Sequence, residues 1–175
     1  MTRAIYPASF DPITLGHVDI ATRAAALFDK LVVAVYDRPL KNLLFSPEQR
    51  WEMTRDALIH LPNVHVERYT GLTVELARQK GATVIVRGLR VLSDFEWEFQ
   101  QALTNHNLAP DIDTVCLMAS QEYSFLSSSV VKEVAFAGGD VTAMVPSHVA
   151  QALYAKAHAM GGDGGSQVKL VSLRD

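Results

Sequence analysis

Arg3-Ala4-Ile5-Tyr6-Pro7-Ala8-Ser9-Phe10-Asp11-Pro12-Ile13-Thr14-Leu15-Gly16-His17 joins a short apolar run to a turn fixed by two prolines and a glycine, and then to the start of a helix. The apolar run is β-branched in part and almost continuous, as a strand buried on both faces of a parallel sheet should be. Four more such runs follow: Leu31–Tyr36, Val64–Arg68, Thr83–Val86 and Thr114–Met118. Between them lie segments of helical period. Gly16–Phe28 carries Val18, Ala21, Ala25 and Phe28 at spacings of three or four. Ser46-Pro47-Glu48-Gln49 reads as a capping box with proline at the first helical position. Thr73–Lys80 stops at Gly81, Ser93-Asp94-Phe95-Glu96 opens a helix to about His106, Ser127–Phe136 ends at Gly138-Gly139, and Pro146–His158 is a last amphipathic helix.

Strands alternating with crossovers of this length predict an α/β fold, a doubly wound five-stranded parallel sheet. Such sheets bind ligands beyond the carboxyl ends of their strands, at the switch point. The loops 7–17, 87–93 and 119–128 are therefore the candidates. One domain is expected over residues 1–160. Residues 161–175, opening Gly161-Gly162-Asp163-Gly164-Gly165-Ser166, read as a flexible tail.

Composition narrows the class. The chain has 175 residues, 49% hydrophobic and 20% charged, an ordinary globular balance. Its net charge of −3 supplies no basic field, so no nucleic-acid partner is expected. No apolar run approaches a membrane span, and residues 1–6 lack the apolar core of a secretory signal. A single cysteine, Cys116, points to a reducing compartment, the cytoplasm, and its place in a predicted strand makes it a core residue. The glycine-rich dinucleotide fingerprint, the Walker phosphate loop and the nucleophile elbow are all absent. The six histidines show no zinc-ligand spacing, so no protein-held metal is expected.

The residues that remain suit phosphate chemistry. His17 falls at a helix start, where backbone N–H groups and the dipole favour anions; the alternative is an exposed side chain on a helix capped by Thr14. Arg87 ends the fourth strand and Arg90 follows in the same loop, where Gly88 would let the backbone approach a nucleotide; the alternative is two surface arginines. Ser127-Ser128-Ser129 open a helix, either to bind phosphate or simply to cap it, and Lys132 sits on its first turns. Phe95, Phe99, Ala102 and Leu103 form the predicted buried stripe of their helix, with Trp97–Phe99 as core and Glu98 on the border, either binding a ligand or in a salt bridge.

Four of these motifs carry a resemblance. Ser9-Phe10-Asp11-Pro12…Thr14-Leu15-Gly16-His17 resembles the T/H-x-G-H signature of the nucleotidylyltransferase superfamily, and Ser127-Ser128-Ser129-Val130-Val131-Lys132 its second signature. Arg87-Gly88-Leu89-Arg90, Asp94-Phe95-Glu96 and Tyr123-Ser124-Phe125-Leu126-Ser127-Ser128-Ser129 resemble the bacterial phosphopantetheine adenylyltransferases, in order and spacing, over about residues 3–158. The resemblance implies a Rossmann-like nucleotidylyltransferase fold, a homohexamer, and transfer of the adenylyl group of ATP to 4′-phosphopantetheine with Mg²⁺ assisting. It implies that His17 is catalytic. ATP would be bound by Ser9, Phe10, His17, Gly88, Leu89, Arg90, Glu98 and the run Tyr123, Ser124, Phe125, Leu126, Ser127, Ser128 and Ser129. The acceptor would be held by Ser9, Lys41, Thr73 and Arg87. The family usually has Gly-Thr where this chain has Ala8-Ser9, and an apolar residue in place of Thr73. Ala8 is expected to restrict the backbone at that turn. A nucleotidylyltransferase for another acceptor, such as nicotinamide mononucleotide, and a domain that holds a nucleotide without turnover are the alternatives.

Overall fold

A computed structural model describes residues 1–39 and 42–161. Lys41 and all of the tail but Gly161 lie outside the described residues. The strands are β1 (Arg3–Ala8), β2 (Lys30–Tyr36), β3 (Val64–Tyr69), β4 (Val84–Leu89) and β5 (Asp113–Met118). The helices are α1 (Leu15–Leu27), α2 (Pro47–Leu58), α3 (Thr73–Lys80), α4 (Leu92–Leu108), α5 (Ser128–Phe136) and α6 (Ser147–Gly161). Every strand pairing is parallel, in the order β3-β2-β1-β4-β5. The order reverses between β1 and β4, so the switch point lies where β1 and β4 end.

Burial on both faces explains the unbroken apolar runs: Ala4–Pro7 and Leu31–Val35 are buried throughout. On one face α1, α2, α5 and α6 close a core that includes Tyr6, Phe10, Ile13, Leu31, Val33, Val35, Val131 and Leu153. On the other, Ile5, Val32, Ala34 and Ile85 meet Val74, Leu76, Ala77 and Ala109 of the α3–α4 side. Local chemistry sets the ends. Ser46 and Gln49 form the expected reciprocal cap of α2, and α3 ends on Gly81 at φ 63°, a left-handed conformation that glycine adopts without strain.

Three expectations fail, all on the β5 side of the sheet. α4 begins at Leu92 with Val91 as its cap, so Ser93 lies within the first turn rather than at the expected cap position. Of the predicted buried stripe of α4, Phe95, Phe99 and Leu103 are 51%, 52% and 55% exposed and only Ala102 stays inward; Trp97, expected as core, is 61% exposed. The inward line is instead Asp94, Glu98, Ala102 and Asn105, because Arg90 and Arg87 draw the two carboxylates toward the sheet. Cys116 is exposed rather than core, since β5 is an edge strand with one side uncovered. Partial burial and the nearby Glu98 carboxylate push its thiol pKa up.

Candidate active site

The turn after β1 is built around a buried aromatic residue. Phe10 is 1% exposed, and among the described residues it is the one non-glycine with a positive φ, 46°. Its ring meets Tyr6 edge-on at 5.5 Å and His17 at 5.2 Å. Packing on both sides holds a conformation that would otherwise cost about 1 kcal/mol or more. Ala8, by contrast, ends β1 in extended backbone, so its side chain imposes no strain. The Asp11–Pro12 peptide is cis.

Thr14 caps α1 and in doing so sets the chemistry of His17. The Thr14 backbone N–H donates to His17 Nδ1 at 3.0 Å, while the His17 backbone N–H donates to Thr14 Oγ1. An Nδ1 that accepts leaves the proton of a neutral imidazole on Nε2. His17 thus presents an N–H donor from the first turn of a helix, where the dipole already favours negative charge. The expectation of a helix-start histidine holds, with a reciprocal cap that the sequence reading did not foresee.

Arg87 and Glu98 come together as a pair, the carboxylate buried and the guanidinium half-buried. Arg87 Nε and Nη2 donate to the two Glu98 oxygens at 2.6 and 2.7 Å, and Nη1 donates to the Pro7 carbonyl at 2.7 Å. Burial works against the guanidinium charge, but the Glu98 hydrogen bonds and charge outweigh it and raise the Arg87 pKa. The pair fixes the end of β4 against the end of β1. Arg90 makes the next link: its Nε and Nη2 hold Asp94 at 2.9 and 3.0 Å, and its Nη1 donates to the Leu126 carbonyl at 2.9 Å. Gly88 serves packing at this point, because an added Cβ would come within 3.2 Å of Ile20 on α1. Leu89 is buried at the end of the strand.

The segment after β5 passes through one 3₁₀ turn, Gln121–Tyr123, before α5. Ser127 caps α5 by accepting the Val130 N–H at 3.1 Å, and Ser128 donates to the Pro12 carbonyl at 2.9 Å. The N-terminus of α5 is thereby tied to the turn after β1, so two helix starts meet at the switch point. Ser124 donates to Gln121, Phe125 is 62% exposed, and Ser129 lies exposed on the first turn. Ser9 is half-buried, and its carbonyl accepts Arg50 Nη1 at 2.6 Å. On the β2–β3 side, Thr73 shares a 3.1 Å hydrogen bond with the Tyr69 hydroxyl, and the rings of Tyr69 and Tyr36 lie 5.0 Å apart.

Two residues of this cluster were not singled out from the sequence. Arg50 is fully buried, and Asp11 is 2% exposed and paired with Lys132. Arg50 had a legible signal, since it shares the spacing of Met53, Thr54 and Leu58 and so lies on the core face of α2. A cavity of about 210 Å³ among Arg3, Lys30, His65, Glu67 and Lys80 opens at the opposite end of the strands and is no part of this cluster. Among the described residues no group of three or more His, Cys, Asp or Glu is placed to hold a metal, and no helix is long and apolar enough to cross a membrane.

Comparison with known proteins agrees with this geometry. Residues 5–134 match the family described as cytidylyltransferase-like. The chain is 60% identical over 153 residues to a phosphopantetheine adenylyltransferase of Herpetosiphon aurantiacus, a match covering 87% of this chain and 93% of that one. It is 58% identical over 155 residues to the protein of that name from Synechococcus elongatus, covering 89% and 93%. Among solved structures, a Vibrio parahaemolyticus protein described as a nicotinate-nucleotide adenylyltransferase superposes with a TM-score of 0.63 at 17% identity, over 88% of this chain and 99% of that one. That last likeness is one of fold.

Proposed function

Since this chain belongs to the cytidylyltransferase-like family and, within it, to the phosphopantetheine adenylyltransferases, we infer that its switch-point cluster performs the adenylyl transfer. The enzyme makes dephospho-coenzyme A and pyrophosphate from ATP and 4′-phosphopantetheine, a step of coenzyme A biosynthesis. The carrying observation is His17, its Nδ1 taken by Thr14, on a helix start joined to the Ser127–Ser129 helix start.

The acceptor's phosphate attacks the α-phosphorus of ATP in line, pyrophosphate leaves, and no covalent enzyme intermediate forms. Such a transfer needs placement and charge stabilisation rather than a protein nucleophile. His17 Nε2–H stabilises charge on the transferred group. The Ser9–Phe10 backbone, Gly88–Arg90, Glu98 and Tyr123–Ser129 hold ATP, while Ser9, Lys41, Thr73 and Arg87 hold the acceptor. Glu98 and Arg87 are paired with one another, and the pair fixes both side chains at the strand ends where the substrates meet. Magnesium would come with the triphosphate as part of the substrate and would supply neutralisation of phosphate charge.

The outward apolar line of α4 supports self-association into a homohexamer. Phe95 and Phe99 stack at 5.8 Å in line with Leu103, an apolar surface whose burial between copies is favourable. The reading includes a cytoplasmic location, consistent with a single thiol in 175 residues.

Acceptor-dependent pyrophosphate release tests the reading. Protein with ATP and Mg²⁺ alone should release little, and 4′-phosphopantetheine should start steady turnover. Unphosphorylated pantetheine should not, because it lacks the attacking group. Turnover with nicotinamide mononucleotide and none with phosphopantetheine would refute the assignment.

A further inference from the structure

One carboxylate in the site has no role in the transfer as described so far. Asp11 Oδ1 accepts the Phe45 backbone N–H at 2.9 Å, and both of its oxygens lie near the Leu44 N–H, at 3.1 and 3.0 Å. Oδ2 also takes Lys132 Nζ at 2.8 Å. Three segments far apart in sequence therefore meet on a group that is 2% exposed. One is the turn bearing Ser9, Phe10 and His17. The second is the stretch that begins at residue 42, directly after Lys41. The third is α5, whose N-terminus carries the three serines. Only an ionised carboxylate can accept from three donors at once while neutralising an ammonium, and the Lys132 side chain, 15% exposed, needs that neutralisation. With both oxygens engaged by donors, Asp11 is not poised to take a proton from substrate.

We propose that Asp11 is a positioning residue for adenylyl transfer. Its carboxylate holds Leu44–Phe45 and α5 in one fixed relation to the His17 turn. This deepens the function proposed above and rests on it. In-line attack joins two separately bound phosphates, and a misplacement of about 1 Å costs on the order of 100-fold in rate. A clamp that sets Leu44–Phe45 and α5 against the His17 turn acts on that placement.

The test is a double-mutant cycle of Asp11→Asn and Lys132→Gln, measuring kcat, the KM of each substrate and the thermal midpoint. In Asp11→Asn an oxygen kept on the two amides turns the NH₂ toward the Lys132 ammonium, donor against donor. Lys132→Gln then restores a hydrogen bond between two amides. Positioning predicts that Asp11→Asn lowers kcat about 100-fold and leaves the KM for ATP within about threefold. It also predicts that the double variant loses less than the product of the two single losses, by about tenfold. Folded Asp11→Asn with kcat within about threefold of wild type overturns the proposal, as do losses that simply multiply.

If Asp11→Asn does not fold, Asp11→Glu carries the test. It keeps the charge and moves the oxygens by one methylene, so a fall in kcat of about tenfold is expected and unchanged kcat overturns the proposal. Wild-type protein in the same assay separates the two readings, because a wild type that ignores phosphopantetheine refutes the function and not the clamp. The clamp is also read without turnover. Amide exchange at Leu44 and Phe45 should quicken about tenfold in Asp11→Asn, since a neutral acceptor is weaker than a carboxylate, and unchanged exchange overturns it.

Discussion

Replacing Arg50 with methionine keeps most of the side-chain volume and removes every donor. The guanidinium is fully buried and ties four carbonyls together: Ser9 at 2.6 Å, Tyr36 at 2.8 Å, Asp37 at 3.2 Å and Phe45 at 3.3 Å. Two of those bonds are short and charge-assisted, and each stranded buried acceptor costs about 1–3 kcal/mol. Three of the four bonds, those to Ser9, Tyr36 and Asp37, are only part-buried, so the four penalties do not add in full. A loss of about 3–4 kcal/mol follows, within the range for breaking a buried charged network from one side. In a protein of this size about 1 kcal/mol moves Tm by roughly 2–4 °C, so Arg50→Met should melt about 10 °C lower. Thermal unfolding followed by circular dichroism at fixed protein concentration measures it. Arg50→Lys should fall between the two, because one ammonium cannot span four carbonyls set for a planar fork. An Arg50→Met protein melting within about 2 °C of wild type would refute the reasoning, since methionine packing would then have replaced the network.

The remaining expectations concern the site and the assembly. His17→Ala should lower kcat by about 100- to 1000-fold with little change in the KM for ATP, because its partner is charge that grows in the transition state; near-normal kcat in steady-state kinetics would remove His17 from the chemistry. Arg87→Ala should chiefly raise the KM for phosphopantetheine, and a rise in the KM for ATP with an unchanged acceptor KM would mean that the two pockets are assigned backwards. It should also destabilise the fold, since Glu98, 8% exposed, would be left without its guanidinium. Phe99→Glu on the outward face of α4 should shift the protein to smaller species in sedimentation while the isolated chain keeps its secondary structure, and an unchanged sedimentation profile would place the subunit contacts elsewhere.

The sheet was legible because its signal is local. Continuous β-branched runs and helix caps at Thr14, Ser46 and Gly81 act within a few residues of themselves, and each appears where the spacing predicts it. The T-L-G-H turn and the serine run were legible for the same reason, whereas Glu98, read as a border residue, is buried on the inward line of its helix. Strand ends were less so: Arg87 to Leu89 read as a loop and are the last residues of β4, because pairing with β5 carries the ladder on.

What the sequence reading missed depends on partners far away along the chain. The apolar positions of α4 point to Phe95, Phe99 and Leu103 as its core face, and periodicity alone cannot correct that. The helix is turned the other way because two arginines on and after β4 supply counter-charges to Asp94 and Glu98. A carboxylate paired beneath the helix and an apolar ridge above it are then two consequences of one rotation. Burying the ridge inward would leave Arg87 and Glu98 unpaired, at several kcal/mol, whereas leaving it outward costs only solvent contact. The same orientation that places Glu98 on Arg87 thus turns the apolar ridge outward, so substitutions that release Glu98 from Arg87 should loosen α4 on the sheet as well as weaken binding.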